Sequence, residues 1–252
     1  MKRRGLNRRE FGKILAAAGV GGALNPAAAA TQESAPAGQV APRTFFTEEE
    51  ASFVEAAIDH LIPADELGPG AREAGVGEYI DRQLSGTFGT AAKWYMQGPW
   101  GESAPEQGYQ LPLAPRELYR LCIDELNEHC QSQYGDRFDR VSSEQQLAVL
   151  EAMDDGGLTL PGVPLAEFFS MLLQNTIEGF FADPIYGGNR DKVGWRLVGF
   201  PGVGAAYFRH FQKYNEPYLV EPVGIEDVVN RRAELGERGH VVHVPLAPKG
   251  KG

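Results

Sequence analysis

The chain has 252 residues, of which 24 are Lys or Arg and 34 are Asp or Glu, so its formal net charge at pH 7 is −10. So acidic a chain argues against nucleic acid or anionic lipid as a direct partner, because both are themselves negatively charged. The length is sufficient for one domain with a substantial hydrophobic core.

Residues 1–30 are typical of an export signal and are set apart from the fold. They hold six of the basic residues and one of the acidic residues, so the rest carries 18 basic and 33 acidic side chains. Their apolar run, from Ile14, has eleven residues, too few to span about 30 Å of hydrocarbon. The alternatives are an amphipathic helix or a membrane anchor. The segment resembles the twin-arginine signal, an address for the export of folded proteins, at positions Arg8, Arg9, Phe11 and Lys13.

Five amphipathic helices are predicted from hydrophobic periodicity and from start and stop signals. They begin near Thr47, Arg72, Pro115, Ser142 and Pro164. Capping boxes mark the first and the fourth, and a proline in the first helical position marks the third. The fifth has only Glu167 and Glu178 as charged residues, so it is predicted to be the central helix. Residues 205–214 could add one short helix, and residues 240–244 one short strand.

The predicted fold class is all-α: an irregular single helical domain with long ordered loops and little or no sheet. No segment repeats at a fixed period, and strand-like alternation is scarce. The predicted organisation is a signal peptide at 1–30, a flexible leader at 31–44, a helical domain at 45–215 and a C-terminal extension at 216–252.

Two loops have unusual compositions. Residues 98–112 contain three prolines, three glycines and Trp100, and a connection this long is usually functional or an interface arm. The second lies in the 178–202 segment, where Asp183-Pro184 must stop the fifth helix. Five glycines, a second proline and three aromatic residues follow, a composition typical of an ordered loop.

The 178–202 segment also supplies most of a candidate partner interface. Its aromatic residues are predicted either to plug the core or to face a partner, because aromatic residues with Arg neighbours are typical of interface hot spots. The candidate interface residues are Trp100, Tyr186, Arg190, Trp195, Arg196 and Phe200.

The sequence shows no motif for a redox cofactor or for catalysis. It has no Gly-x-Gly-x-x-Gly turn between a strand and a helix, no Cys-x-x-Cys-His and no Gly-x-Ser-x-Gly. We therefore expect no catalytic residue, cofactor ligand or metal ligand in this chain. His240 and His243 are expected to be satisfied by hydrogen bonds or solvated, and not to bind zinc. Asp183, Asn189 and Asp191 could offer oxygens to calcium, but turn capping is the default for such residues.

Glu178 and the two cysteines have alternative interpretations. Glu178 could act as an acid or base, or could accept backbone N–H groups or pair with Arg190 or Arg196. Cys122 and Cys130 are eight residues apart on one predicted helix, about 12 Å, which is too far for a disulfide between them. Each is either buried or bonded to another chain.

Two motifs in this order resemble the gluconate 2-dehydrogenase small (gamma) subunit family. The longer one is Glu178-Gly-Phe-Phe-Ala-Asp-Pro-x-Tyr-Gly-Gly-Asn-x-Asp-x-x-Gly-Trp-x-x-x-Gly-Phe-Pro-Gly202. The earlier one comprises Leu61-Ile-Pro-Ala-Asp65, Gly68-Pro-Gly-Ala71 and Ala74-Gly-Val76. The resemblance covers roughly residues 45–215 and leaves the C-terminal extension uncovered.

The resemblance implies a non-catalytic accessory subunit of a periplasmic, membrane-associated complex. In such complexes a large subunit carries FAD and oxidises a sugar, a sugar acid or a polyol. A cytochrome c subunit, where present, passes electrons to the quinone pool. The small subunit supplies the export signal and helps the flavoprotein mature. The alternatives are an autonomous periplasmic enzyme that uses Glu178, and a calcium- or sugar-binding module at residues 183–191.

Overall fold

The computed structural model describes residues 42–101, 107–203, 213–216, 218–236 and 239–246. These residues form seven α-helices and no strand, which confirms the predicted all-α class. The helices are α1 (Glu48–Leu61), α2 (Val76–Ser85), α3 (Pro115–Tyr134), α4 (Ser143–Asp154), α5 (Leu165–Phe181), α6 (Val193–Val198) and α7 (Ile225–Val229). The export signal and most of the helix predicted at 205–214 lie outside the described residues.

The helix starts follow the local sequence signals. At α1, the Thr47 hydroxyl accepts from the Glu50 N–H at 3.2 Å, and the Glu50 carboxylate accepts from the Thr47 N–H at 2.7 Å. Ser142 forms the same kind of capping box at the start of α4, and α3 begins with Pro115. The predicted start of α2 near Arg72 is wrong, because Gly75 adopts the left-handed region with φ +74° and α2 begins after it.

Helix α5 is the central helix, as predicted. It packs against α1, α2, α3, α4 and α6. Aromatic rings fill the core around it: the Phe168 ring lies 5.2 Å from the Tyr119 ring, and the Phe53 ring lies 4.4 Å from the Phe138 ring. Each side chain of this size stabilises the fold by about 1.5–3 kcal/mol when fully buried. α5 ends at Phe181, and only Ala182 separates it from the predicted Asp183-Pro184 stop.

A buried carboxylate fixes the chain where it enters α1. Asp81 in α2 is 3% exposed. It accepts hydrogen bonds from the backbone N–H groups of Thr44, Phe45 and Phe46 and from the Thr44 hydroxyl, at 2.7–3.1 Å. The backbone just before α1 is therefore held to α2 through Asp81. The bonded residues are more than thirty positions apart in sequence, and no local pattern indicated this contact.

Both cysteines in α3 are fully buried and free. Burial, together with the charges of Glu167 and Glu125, raises the pKa of the Cys122 thiol to about 12. Burial alone raises the pKa of Cys130 to about 11. The structure favours burial over an intermolecular bridge, because neither sulfur can meet another chain unless α3 first opens.

Candidate functional site

The 178–202 segment is held against the end of α5 by one buried amide. Asn189 is fully buried; its amide nitrogen donates to the Ala182 carbonyl at 2.7 Å, and its amide oxygen accepts from the Gly194 N–H at 2.8 Å. A Cβ at position 194 would lie 2.1 Å from the Phe180 carbonyl oxygen. Glycine is therefore required where α6 crosses the end of α5.

The three aromatic residues of the segment divide between the two predicted roles. Trp195 is buried, and its indole N–H donates to the Phe181 carbonyl at 2.7 Å, so it plugs the core. Phe200 packs edge-on against Trp195 at 5.2 Å but remains 43% exposed. Tyr186 is also exposed. Trp195 is thus structural, whereas Phe200 and Tyr186 face solvent.

Two further apolar side chains face solvent on α6. Leu197 and Val198 are exposed beside Phe200 in sequence. Neither residue was predicted from the sequence, because this stretch was expected to be a loop. The available signal was the left-handed Gly199 that closes α6, since a glycine directly after an apolar run commonly marks a helix end. Together with Phe200, which follows within three residues in sequence, they form the apolar patch, defined as Leu197, Val198 and Phe200.

Arg190 ties the segment to the chain before and within α2. Its backbone N–H donates to the Ala74 carbonyl at 2.9 Å. Its guanidinium lies 3.8 Å from the Glu78 carboxylate and donates to the Glu73 carbonyl at 3.4 Å. Arg190 therefore positions the segment, and about half of its side chain remains exposed.

Glu178 has partners other than those predicted. Its carboxylate accepts from the Gln174 amide at 2.8 Å and from the Tyr79 hydroxyl at 3.4 Å. Burial, followed by the charge and hydrogen bond of Glu178, raises the pKa of Tyr79. The predicted pairing with Arg190 or Arg196 is wrong, because Arg190 pairs with Glu78 and Arg196 pairs with Glu221.

Asp183 caps two turns. One carboxylate oxygen accepts from the Ile185 N–H at 3.1 Å, and the other accepts from the Ile225 N–H at 2.8 Å. Burial raises the pKa of Asp183 although these two hydrogen bonds oppose the shift. Within the described ranges no cluster of three His, Cys, Asp or Glu side chains could hold a metal ion. Asp183 therefore caps turns, whereas the Asn189 amide bridges Ala182 and Gly194.

The C-terminal residues 218–246, here called the tail, pack on the 178–202 segment. The Val223 N–H donates to the Pro201 carbonyl at 3.0 Å, and the Val223 carbonyl accepts from the Val203 N–H at 2.7 Å. Gly202 between them has φ +81°, and a Cβ there would lie 2.0 Å from the Val223 oxygen. Only glycine fits so close to the tail.

Ion pairs complete the attachment of the tail. The Lys192 ammonium lies 2.6 Å from the Asp227 carboxylate, and Arg196 pairs with Glu221. Burial raises the pKa of Asp227, but Lys192, the Gly224 N–H and Arg232 outweigh it, so this pKa lies below its usual value. The tail is therefore an integral support of the segment.

The two histidines of the tail differ in burial, since His243 is buried and His240 is partly exposed. His243 is buried edge-on to the Tyr218 ring at 6.2 Å, and neither of its ring nitrogens has a hydrogen-bond partner among the residues that the structure describes. The expectation that His243 is hydrogen-bonded or solvated therefore stays a prediction for this residue. Of the short strand predicted at 240–244, only an isolated bridge at Val241 is present in the described part of the chain.

Trp100 lies in a different place from the other candidate interface residues. It lines a cavity of about 540 Å³ in the arm of residues 94–110, together with Trp94, Tyr95 and Tyr109. Residues 102–106 of this arm lie outside the described part of the chain. The candidate interface residues thus fall into two groups, one in the 178–202 segment and one at this cavity.

Comparison with known proteins identifies a family that includes most of the helical domain. The family model described as gluconate 2-dehydrogenase subunit 3 matches residues 48–202. No curated protein and no solved structure matches this chain. The matched range runs from the start of α1 to Gly202, so it includes the 178–202 segment and stops where the tail begins to pack on it. Of the helices described, none combines the length and the apolar character needed to cross a bilayer.

Proposed function

Because this chain belongs to the gluconate 2-dehydrogenase subunit 3 family, we propose that it is the non-catalytic accessory subunit of a periplasmic FAD-dependent oxidoreductase. A large partner subunit carries FAD and oxidises a sugar or a sugar acid, and a cytochrome c subunit, where present, accepts the electrons. This chain supplies the twin-arginine signal and stabilises the flavoprotein while it matures. The complex is associated with the membrane through its other subunits.

The apolar patch on a fixed backbone is the observation that carries the proposal. Asn189 and Gly194 hold the segment to α5, while Val198 and Phe200 are 59% and 43% exposed. A surface that is already ordered loses little conformational entropy on binding. Large apolar side chains gain free energy when a partner removes them from water, at about 25 cal/mol per Å² of apolar surface. The patch is therefore suited to a protein partner.

The export signal supports the same role. The twin-arginine route carries folded proteins, and such proteins often contain a cofactor inserted before export. This chain has the signal residues Arg8 and Arg9 but no cofactor motif in its sequence. Carriage of a cofactor-loaded partner explains why a chain without a cofactor uses this route.

The partner surface can be tested by co-expression with a flavoprotein whose gene lies beside this one and encodes Gly-x-Gly-x-x-Gly near the N-terminus. Val198→Ser should leave the melting temperature of this subunit nearly unchanged, because Val198 is mostly exposed to water, whereas Phe200→Ser should lower it slightly, because the ring contact with Trp195 is lost. They should reduce the flavin that co-purifies and the reduction of an electron-accepting dye by the complex. Leu147→Ser on α4 is the matched control, since Leu147 is 39% exposed and lies outside the patch.

The proposal fails if this subunit alone reduces the dye with a sugar donor, or if it purifies with bound flavin. It also fails if the two patch variants retain the flavoprotein as well as Leu147→Ser does. Export is tested by Arg8→Lys with Arg9→Lys, which should leave both this chain and the flavoprotein in the cytoplasm. Flavoprotein that still reaches the periplasm in this double variant would exclude the escort role.

A further inference from the structure

The cavity in the 94–110 arm has a rigid aromatic wall. Its volume of about 540 Å³ lies within the range of small-molecule sites, about 300–1,000 Å³. The Trp94 ring lies 5.1 Å from the Tyr109 ring and 5.7 Å from the Phe88 ring, at interplanar angles of 60° and 83°. Tilted aromatic contacts of this kind add stabilisation beyond area burial. Trp94 is thus held in place by its neighbours and still lines the cavity.

Two more aromatic side chains, Tyr95 and Trp100, line the same cavity. Tyr95 is 82% exposed. Trp100 lies against the backbone of Gly98, where a Cβ would be 3.2 Å from the indole Cδ1 atom. Single exposed aromatic residues are common, but several that converge on one concave site indicate a ligand.

Among the residues that the structure describes, those that line the cavity carry no charged side chain: none is Asp, Glu, Lys, Arg or His. An anionic ligand would therefore find no cation there, on a protein whose chain is acidic overall. The polar groups in the lining include the Gln97 and Gln110 amides, each of which can donate and accept hydrogen bonds. The Gln110 amide nitrogen donates to the Gln107 carbonyl at 3.1 Å, which orients this amide.

From these features we propose that the cavity binds a neutral saccharide ring. A pyranose has an apolar C–H face, which packs on an aromatic ring, and hydroxyl groups at its edge, which exchange hydrogen bonds with amides. A sugar acid carries a carboxylate that this lining cannot neutralise, and an acyclic polyol has no rigid apolar face. Since a hexose is small and the site is open, its Kd should be roughly 1–10 mM.

Tryptophan fluorescence of the full chain can test this site directly. The chain has three tryptophans; Trp94 and Trp100 line the cavity and Trp195 is buried elsewhere. Methyl α-glucopyranoside is the probe, with sodium gluconate and sorbitol as the charged and the acyclic comparison. We expect a saturable change with the glucoside, and binding of the other two at least about tenfold weaker.

Two tyrosine variants separate binding from unfolding. Tyr95 and Tyr214 are 82% and 84% exposed, so neither Tyr95→Ala nor Tyr214→Ala should unfold the domain. Tyr95→Ala should weaken glucoside binding about three- to tenfold through loss of one ring contact, and Tyr214→Ala should leave the Kd unchanged. The proposal is overturned if the glucoside gives no saturable change up to ~100 mM or if gluconate binds equally well. It is also overturned if Tyr95→Ala and Tyr214→Ala weaken glucoside binding equally, or if a proline-rich peptide gives a saturable fluorescence change and the glucoside does not.

Discussion

Removing the ammonium group of Lys192 should release the tail without unfolding the helical domain. Lys192 and Asp227 lie 2.6 Å apart, with side chains 19% and 22% exposed. A hydrogen bond to a charged group stabilises by about 1.5–3 kcal/mol, and partial exposure reduces this to about 1–2 kcal/mol. Lys192→Met keeps the aliphatic stem but leaves Asp227 with the Gly224 N–H and the more distant Arg232. The tail should therefore open about 5–30 times more often.

Hydrogen exchange measures this opening at defined amides. The N–H groups of Val203, Val223 and Ile225 bond the tail and the 178–202 segment to each other. In Lys192→Met these three amides should exchange about 5–30 times faster, because local opening limits their exchange. Amides in the middle of α5 should keep their wild-type exchange rates, because α5 is packed against five other helices and does not depend on the tail for its contacts.

Lys213→Met is the matched control. Lys213 pairs with Glu216 at 3.8 Å, but these side chains are 52% and 65% exposed, and such pairs contribute about 0–1 kcal/mol. This variant should change neither the exchange rates nor the melting temperature measurably. The reasoning is refuted if Lys192→Met leaves tail exchange at the wild-type rate. It is also refuted if α5 exchange accelerates as much as tail exchange, because the tail would then not open independently.

Three other measurements follow from the contacts described. Gly194→Ala should lower the melting temperature by about 4–8 °C, which corresponds to about 2 kcal/mol of overpacking, whereas Gly101→Ala, which meets open space, should not. Cys122 and Cys130 should resist a thiol reagent at pH 8 until denaturant is added, since burial raises both pKa values; a disulfide-linked dimer on a non-reducing gel would contradict this. The folded pKa of Asp227 lies below its unfolded value of about 3.9, so the stabilisation by this carboxylate is present above pH ~4 and is lost as the pH falls further. The difference in tail hydrogen exchange between wild type and Asp227→Asn should therefore vanish at such low pH. A difference that persists would exclude the ion pair as the cause of the slower wild-type exchange.

Local chemistry made the helices predictable. Thr47 with Glu50 and Ser142 with Gln145 are capping boxes in the sequence and in the structure. Such signals act within four residues, so the sequence displays them directly. Pro115 also begins its helix as predicted. The start of α2 was misplaced because the left-handed conformation of Gly75 depends on surrounding contacts as well as on residue type.

Contacts between distant residues could not be predicted in the same way. Asp183 and Ile225 are 42 residues apart, and neither sequence neighbourhood indicates the other. The same holds for Lys192 and Asp227. Trp195 lies in the six-residue helix α6, and Phe200 follows shortly after its end. A helix this short has too few residues for its hydrophobic period to distinguish a buried face from an exposed one. Their different roles therefore appeared only with the tertiary structure.

The position of the apolar patch depends on both the family domain and the tail. On one side, Arg190 bonds the segment to the Ala74 carbonyl before α2. On the other side, Val223 and Asp227 bond it to a tail that begins after the matched range ends at Gly202. Under the proposed function, a partner that contacts Phe200 would therefore meet a surface whose backbone is fixed in part by residues outside the matched range. A change in the tail would then alter the fit of that partner while the helical core, and the family resemblance, remain intact.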